Sequence, residues 1–375
     1  MSIVIVGGGL AGGTAATELR EQGHTGPVVL VGAEEHAPYE RPPLSKGYLL
    51  GNDPLDDAFV HPRDWYAEHD VDLRTGVEAT AVDTRAQTVT LSTGETLDYE
   101  GLLLATGAEP RRLALTVEAG LPTAYLRTIE DSNRLKEAFG RGGRIAVVGA
   151  GWIGLEAAAA AREAGCEVTV FETADLPLLR VLGPTVATAF ADLHRSHGVD
   201  LRLGTSVTAS DLQGADLVVA GIGVTPRVAL AEAAGLAVDN GVLVDARLRT
   251  SVPSVLAVGD IANHDHPVLG RRIRVEHWDT AINQAKVAAH NLAGADEAYD
   301  ALPYFFTDQY DLGMEYVGNA GADDEVVVHG DLAGLVFRAF WLRNGKVVAA
   351  MHANDWDATD DLRAAVASGE LPAEG

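Results

Sequence analysis

At 375 residues the chain is long enough for two or three domains of ordinary size, which excludes a single core. Hydrophobic residues make up 47% of it, yet no apolar run approaches the roughly 18 to 20 residues that cross a bilayer, so a membrane protein is not expected. Acidic residues outnumber basic ones 54 to 28, and the resulting net charge of −26 opposes non-specific binding to nucleic acid or to anionic membrane surfaces.

Directly after Met1-Ser2, the run Ile3-Val4-Ile5-Val6 reads as a β-branched strand. It leaves no room for a secretory leader, and the chain is expected in the cytoplasm. Gly7-Gly8-Gly9-Leu10-Ala11-Gly12 follows, and then an Ala-rich helical stretch. In a strand, loop and helix of this kind Gly7 makes the tight turn, Gly9 lets a pyrophosphate approach, and Gly12 lets the helix sit close to the strand. The helix start then offers free N–H groups to phosphates. A second strand, Val28-Val29-Leu30-Val31, leads to Glu34 and Glu35, either of which can accept from a ribose hydroxyl; Glu34 is the preferred candidate.

Residues 88–99 alternate around a Gly-containing turn and predict a hairpin. Leu102-Leu103-Leu104-Ala105-Thr106-Gly107 is an apolar strand ending in small residues, where backbone can approach a cofactor.

About 140 residues after the first glycine loop the plan repeats. Ile145-Ala146-Val147-Val148 leads into Gly149-Ala150-Gly151-Trp152-Ile153-Gly154, then into a helix containing Glu156. The next strand ends at Glu172, 18 residues after Gly154 and close to the spacing of about 20 expected for a ribose-binding carboxylate. Glu172 would repel a 2′-phosphate, and no Arg or Lys follows nearby, so NADH is favoured over NADPH. The run Leu217 to Pro226, containing Gly223, mirrors residues 102–110 and makes the two halves related nucleotide units. Two such cradles suit hydride transfer from a nicotinamide to a flavin, with the protein supplying geometry and electrostatics. Cys166, the only cysteine, can neither close an internal disulfide nor serve in a redox dithiol, which excludes a thioredoxin-reductase or glutathione-reductase mechanism. Val255-Leu256-Ala257-Val258-Gly259-Asp260 then puts a carboxylate just beyond a buried strand, at the edge where ligands bind in open α/β sheets. No metal-ligand spacing appears, because the histidines are scattered and the cysteine is alone.

In their order and spacing, Arg41-Pro42-Pro43-Leu44-Ser45-Lys46, Leu126-Arg127-Thr128, Gly151-Trp152-Ile153-Gly154-Leu155-Glu156, Ala257-Val258-Gly259-Asp260, Val275-Glu276-His277-Trp278 and Thr307-Asp308-Gln309-Tyr310 resemble the ferredoxin reductase family of FAD-dependent NADH oxidoreductases. The resemblance runs from Ser2 to about Gly318 and more loosely to the end. It implies an α/β fold of two Rossmann-like, glutathione-reductase-like dinucleotide domains plus a small α+β C-terminal domain. The FAD domain would comprise 1–110 and 243–299, the NAD domain 111–242, and the C-terminal domain 300–375. A loop-like break at 296–303, before a segment rich in β-branched and aromatic residues, agrees with the last boundary.

By the same resemblance Lys46 sits near the flavin N5 and pairs with Glu156, close to the nicotinamide; these are the candidate catalytic residues. A cation there favours the electron-rich reduced flavin. Arg41 and Arg127 would contact FAD phosphate or ribose, and Asp260 a ribityl hydroxyl. The Trp278 backbone would reach the flavin pyrimidine, and the Ala79 backbone the adenine. Gly7, Gly9, Ala11, Gly12 and Glu34 complete the FAD set. Gly149, Gly151, Trp152, Ile153, Gly154, Glu172, Arg180 and Gly223 form the NAD set. The chain departs from the family at Ala33, where relatives carry an acid that Glu34 must replace. It departs again at Pro303-Tyr304-Phe305-Phe306, where they carry Pro-Trp-Phe-Trp.

The implied function is hydride transfer from NADH to FAD and single-electron delivery to a [2Fe–2S] ferredoxin that feeds a P450 or a dioxygenase. A monomer or weak homodimer is expected. Because ferredoxins are acidic too, docking calls for a local patch, with Arg271, Arg272, Arg274, Arg338 and Arg343 as candidates. A reductase of rubredoxin or small acceptors is the alternative, and an NADH-sensing signalling flavoprotein another.

Overall fold

The computed structural model describes residues 1–373 and divides into two compact units. The first comprises Met1–Arg41, Pro54–Glu109 and Val224–Ala301. Its centre is a five-stranded parallel sheet in the order Val255–Ala257, Gly101–Leu104, Ile3–Val6, Val28–Val31, Val71–Arg74. Near-continuous apolar strands of this kind are buried on both faces. Helices Leu10–Glu21 and Trp278–Leu292 cover the sheet, and both turn alanines inward: Ala11, Ala15 and Ala16 from one, Ala285, Ala288 and Ala289 from the other. Small side chains let the helix backbones approach closely. The hairpin predicted at 88–99 is present as Thr88–Leu91 paired with Thr96–Asp98, joined in an antiparallel sheet by Ala79–Asp83.

The second unit comprises Pro42–Asp53, Pro110–Gly223 and the chain from Leu302 onward. Its parallel sheet runs Asp200–Arg202, Glu167–Phe171, Arg144–Val148, Leu217–Ala220, Thr123–Ala124. An antiparallel sheet in the order Tyr304–Gln309, Leu312–Gly318, Lys346–Ala353, Val336–Arg343, Glu325–Asp331 follows, with helix Thr359–Ser368 packed on it. The two sheets share one core, in which Leu155, Ala158 and Phe190 meet Met314, Phe337, Trp341 and Met351.

The short segment Pro42–Asp53 belongs to this unit because helix Ile129–Gly140 anchors it. Ser132 Oγ donates to the Leu44 carbonyl at 2.8 Å, Lys136 Nζ to the Tyr48 carbonyl at 3.1 Å, and the Tyr48 hydroxyl to Asn133. Lys46 thereby enters the same body as the second glycine loop.

Candidate functional site

Each parallel sheet delivers its central strand into a glycine loop whose first and last glycines leave no room for a side chain. In the first unit Gly7 has φ +130°, and a Cβ there would lie 2.1 Å from the Ala105 carbonyl oxygen. A Cβ on Gly12 would lie 1.9 Å from the Gly7 carbonyl oxygen, so the helix carrying Ala11 starts hard against the loop. Gly9 caps that 12-residue helix with no side-chain hydrogen bond and no acid in the first turn. The positive end of the helix is therefore left for an external anion.

The Arg41 guanidinium stands beside this opening, 3.3 Å from where a Gly9 Cβ would be. Arg41 pairs with Glu34 at 3.5 Å, and Glu34 also accepts from the Tyr39 hydroxyl. Asp260 lies in the turn Gly259–Ile261, and a Cβ on Gly259 would lie 3.5 Å from Ala11 and 3.9 Å from Ala281. Gln284 fixes that turn by accepting from the Gly259 N–H at 2.8 Å. Trp278 opens its helix behind an N-cap His277, whose Nδ1 accepts from the Asp279 N–H at 3.3 Å. Burial raises the nearby Glu40 carboxyl above its usual range, partly offset by a hydrogen bond from Trp278. Ala79 begins the antiparallel sheet of this unit. The narrow loop, the uncapped helix, the guanidinium and the carboxylates fit the pyrophosphate and hydroxyls of a dinucleotide such as FAD.

The second unit repeats the cradle. Gly149 has φ +100° and would place a Cβ 2.4 Å from the Gly221 carbonyl oxygen, and one on Gly154 would lie 2.0 Å from the Gly149 carbonyl oxygen. Gly151 caps the helix without a side-chain bond and faces open space. Glu172 ends the second strand as predicted: one carboxylate oxygen accepts from the Ala150 N–H at 2.7 Å, the other from the Ala174 N–H at 2.9 Å. Gly223 has φ +92° and open space around it, Ile153 is 44% exposed, and Arg180 lies exposed near the start of helix Leu179–Ser196. The Trp152 ring meets Phe305 at 4.9 Å and Phe190 at 5.9 Å. Arg127, expected with the FAD residues, belongs to this unit, where its N–H donates to Asp131 Oδ2 at 3.1 Å.

Lys46 and Glu156 meet. Lys46 Nζ lies 2.7 Å from Glu156 Oε1, with the side chains 17% and 3% exposed. A buried carboxylate is costly unless it is paired and fully hydrogen-bonded, and Glu156 is both. Ser45 Oγ donates to Oε2 at 2.5 Å and Thr307 Oγ1 to Oε1 at 2.5 Å. The Phe306 ring lies 5.3 Å from the Lys46 ammonium, a favourable place for a cation. Ser45 and Thr307 lie inside motifs of the sequence that give neither residue a role. They lie 111 and 151 residues from Glu156, a pairing that no local pattern reveals.

The arginines considered for docking are mostly committed inside the protein. Arg272 donates to the Val244 and Asn263 carbonyls, Arg274 pairs with Glu276 at 2.6 Å, Arg338 with Asp355 and Asp361, and Arg343 with Asp324.

Residues 1–285 match the pyridine nucleotide-disulphide oxidoreductase family, and residues 304–374 match the reductase C-terminal domain. The ferredoxin-NAD(+) reductase component of the anthranilate 1,2-dioxygenase system of Burkholderia cepacia is 43% identical, over 98% of this chain and 95% of its own. Putidaredoxin reductase of Pseudomonas putida is 38% identical, over 93% of this chain and 87% of its own. Among solved structures, the covalent putidaredoxin reductase-putidaredoxin complex superposes with a TM-score of 0.93 at 37% identity, covering 100% of this chain and 94% of that one.

Proposed function

Since this chain belongs to the pyridine nucleotide-disulphide oxidoreductase family, we propose that it works as an FAD-dependent NADH:ferredoxin oxidoreductase whose partner is a [2Fe–2S] ferredoxin of a P450 or dioxygenase system. The observation that carries this reading is the buried Lys46–Glu156 pair at the helix of the second glycine loop, in a chain with a single cysteine. The dithiol chemistry in the family's name needs two sulfurs. The charge pair needs none.

Bound together, FAD and NADH supply a two-electron hydride transfer followed by one-electron steps. The protein's residues bind and aim. The Gly7 and Gly149 loops seat the two pyrophosphates, Glu34 and Glu172 take ribose hydroxyls, and Asp260 holds the ribityl chain. Lys46 keeps positive charge beside the place where electrons accumulate, and Glu156 holds that ammonium still. Trp152 opens the helix that carries Glu156, its ring set by Phe190 and Phe305, and stands on the nicotinamide side. We assign 1–110 and 243–299 to FAD, 111–242 to NAD, and 300–375 to the C-terminal domain, in a cytoplasmic monomer or weak homodimer.

Anaerobic titration with NADH and NADPH, followed by cytochrome c reduction with and without an added [2Fe–2S] ferredoxin, tests the reading. NADH should bleach the flavin more effectively than NADPH, and cytochrome c turnover should depend on ferredoxin. Turnover on small acceptors alone, unchanged by ferredoxin, overturns it.

A further inference from the structure

Glu156 takes its third hydrogen bond from Thr307, and Thr307 is not the end of the line. In strand Tyr304–Gln309 alternate residues share a face, so Phe305, Thr307 and Gln309 project together: Phe305 to Trp152, Thr307 to Glu156, Gln309 to His194. Thr307, Gln309 and His194 are all buried, exposing 0%, 1% and 0% of their surface. Polar groups buried this completely are retained only when their hydrogen bonds are made.

The directions of those bonds are fixed by what each atom can do. The Thr307 hydroxyl has one proton and gives it to Glu156, so it must accept from Gln309 Nε2, 3.1 Å away. Gln309 then presents its carbonyl Oε1, which only accepts, to His194 Nε2 at 2.8 Å. His194 must therefore carry its proton on Nε2 and leave Nδ1 as an acceptor facing the Tyr310 hydroxyl at 3.5 Å. Burial, outweighing the bond to Gln309, lowers the His194 ring to about 4, so it is neutral at physiological pH. Every donor in the series points toward the carboxylate, and aligned dipoles of this kind reinforce one another in a low-dielectric interior.

We infer that Thr307, Gln309 and His194 form a positioning chain by which the C-terminal sheet holds the Glu156 carboxylate negatively charged and turned toward Lys46. The inference rests on the role given to Lys46 and Glu156 above. Three charged or titratable groups bear on the carboxylate: Lys46 from the Pro42–Asp53 segment, Asp308 from the opposite face of the strand of Thr307, whose charge interacts with Lys46 and Glu156, and, through the chain, His194 from helix Leu179–Ser196. Glu315 of the next strand repels Asp308 in turn. With acids on that side and a single ammonium opposing them, the neutral donors decide how firmly the charge is held.

The test uses the holoenzyme and four variants: Thr307→Val, which keeps shape and removes the hydroxyl, Thr307→Ser, Gln309→Leu and Glu156→Gln. Two signals are read. One is the rate of NADH-driven flavin reduction against pH in anaerobic rapid mixing. The other is the infrared band of a protonated carboxyl on acidification before NADH is added, assigned to Glu156 by its loss in Glu156→Gln. Thr307→Val should slow reduction at neutral pH by about tenfold or more, the scale of one hydrogen bond to a charged group. Its acid limb and its infrared band should both move to higher pH. Thr307→Ser should restore both, and Gln309→Leu, which leaves Glu156 untouched, should shift both in the same direction by less. If Thr307→Val does not fold, Gln309→Leu carries the test. Wild-type rates, pH profiles and infrared titrations in Thr307→Val and Gln309→Leu, with Glu156→Gln slow, overturn the chain alone. If Glu156→Gln reduces at the wild-type rate, the catalytic role assigned to Glu156 falls instead, and the infrared titration still decides whether the chain holds its charge.

Discussion

Lys46 and Glu156 show how much one residue's surroundings weigh. Glu156 is 3% exposed, and removing the ammonium leaves a buried carboxylate with two hydroxyl donors but no counter-charge. Lys46→Ala is expected to lower unfolding free energy by about 3 kcal/mol, the lower end for breaking a buried pair, because Ser45 and Thr307 still donate. Denaturant melts check the stability. FAD should remain bound while NADH-driven reduction slows at least tenfold, which stopped-flow absorbance checks. Gly12 makes a steric prediction of a different kind. A methyl there would lie 1.9 Å from the Gly7 carbonyl, with no flexible side chain able to yield. Gly12→Ala should cost about 1–3 kcal/mol or more and deplete bound FAD, seen as a falling ratio of flavin to protein absorbance after gel filtration. These glycines were legible in the sequence because turn geometry restricts residue type at fixed spacing. Ser45, Thr307, Gln309 and His194 were not, because hydroxyl, amide and imidazole groups serve anywhere, and only the fold brings them to one carboxylate.

At the scale of elements, strands and caps were written locally. The runs Ile3–Val6 and 145–148 are apolar, rich in β-branched residues and closed by glycine, and the strands that contain them form the centres of their parallel sheets. The allegiance of Pro42–Asp53 was illegible, since it depends on Ser132 and Lys136 of a distant helix reaching two carbonyls of that segment. That anchoring helix, Ile129–Gly140, begins with a capping box: Thr128 accepts from the Asp131 N–H at 3.2 Å, and Asp131 accepts from the Thr128 N–H at 3.2 Å. Thr128→Ala should destabilise the protein by about 1 kcal/mol, measured as a lower midpoint in urea. Thr128→Ser should recover most of the loss. Helix Leu179–Ser196 also departs from its local pattern: Gly183, at φ 70° and ψ 172°, with Pro184 after it, breaks the run before the stretch that carries His194.

For the whole molecule, four buried histidines, His194, His264, His266 and His352, are all pushed below the ordinary imidazole value by burial and shape the response to pH, His194 and His264 most strongly. Burial, with His197 nearby, pushes His194 down to about 4, and burial, with His266 nearby, does the same to His264. Both have an ordinary value of 6.5. Between pH 6.5 and 4 the unfolded chain therefore binds protons that the folded one refuses. Stability present above the unfolded value is lost as pH falls through that window, on the order of 3 kcal/mol for each ring. Unfolding midpoints in urea at a series of pH values should show the decline, and a double variant with Phe at positions 194 and 264 should make it shallower, leaving the part owed to His266 and His352. Cys166, finally, is a built-in clock. It is fully enclosed, its Sγ donates to the Phe139 carbonyl at 3.5 Å, and burial raises its thiol above the usual range. In the native state a maleimide should find nothing to alkylate, so the pace of labelling counts how often the interior around that sulfur breathes open. A fluorophore placed on any engineered surface thiol needs no prior removal of the natural one.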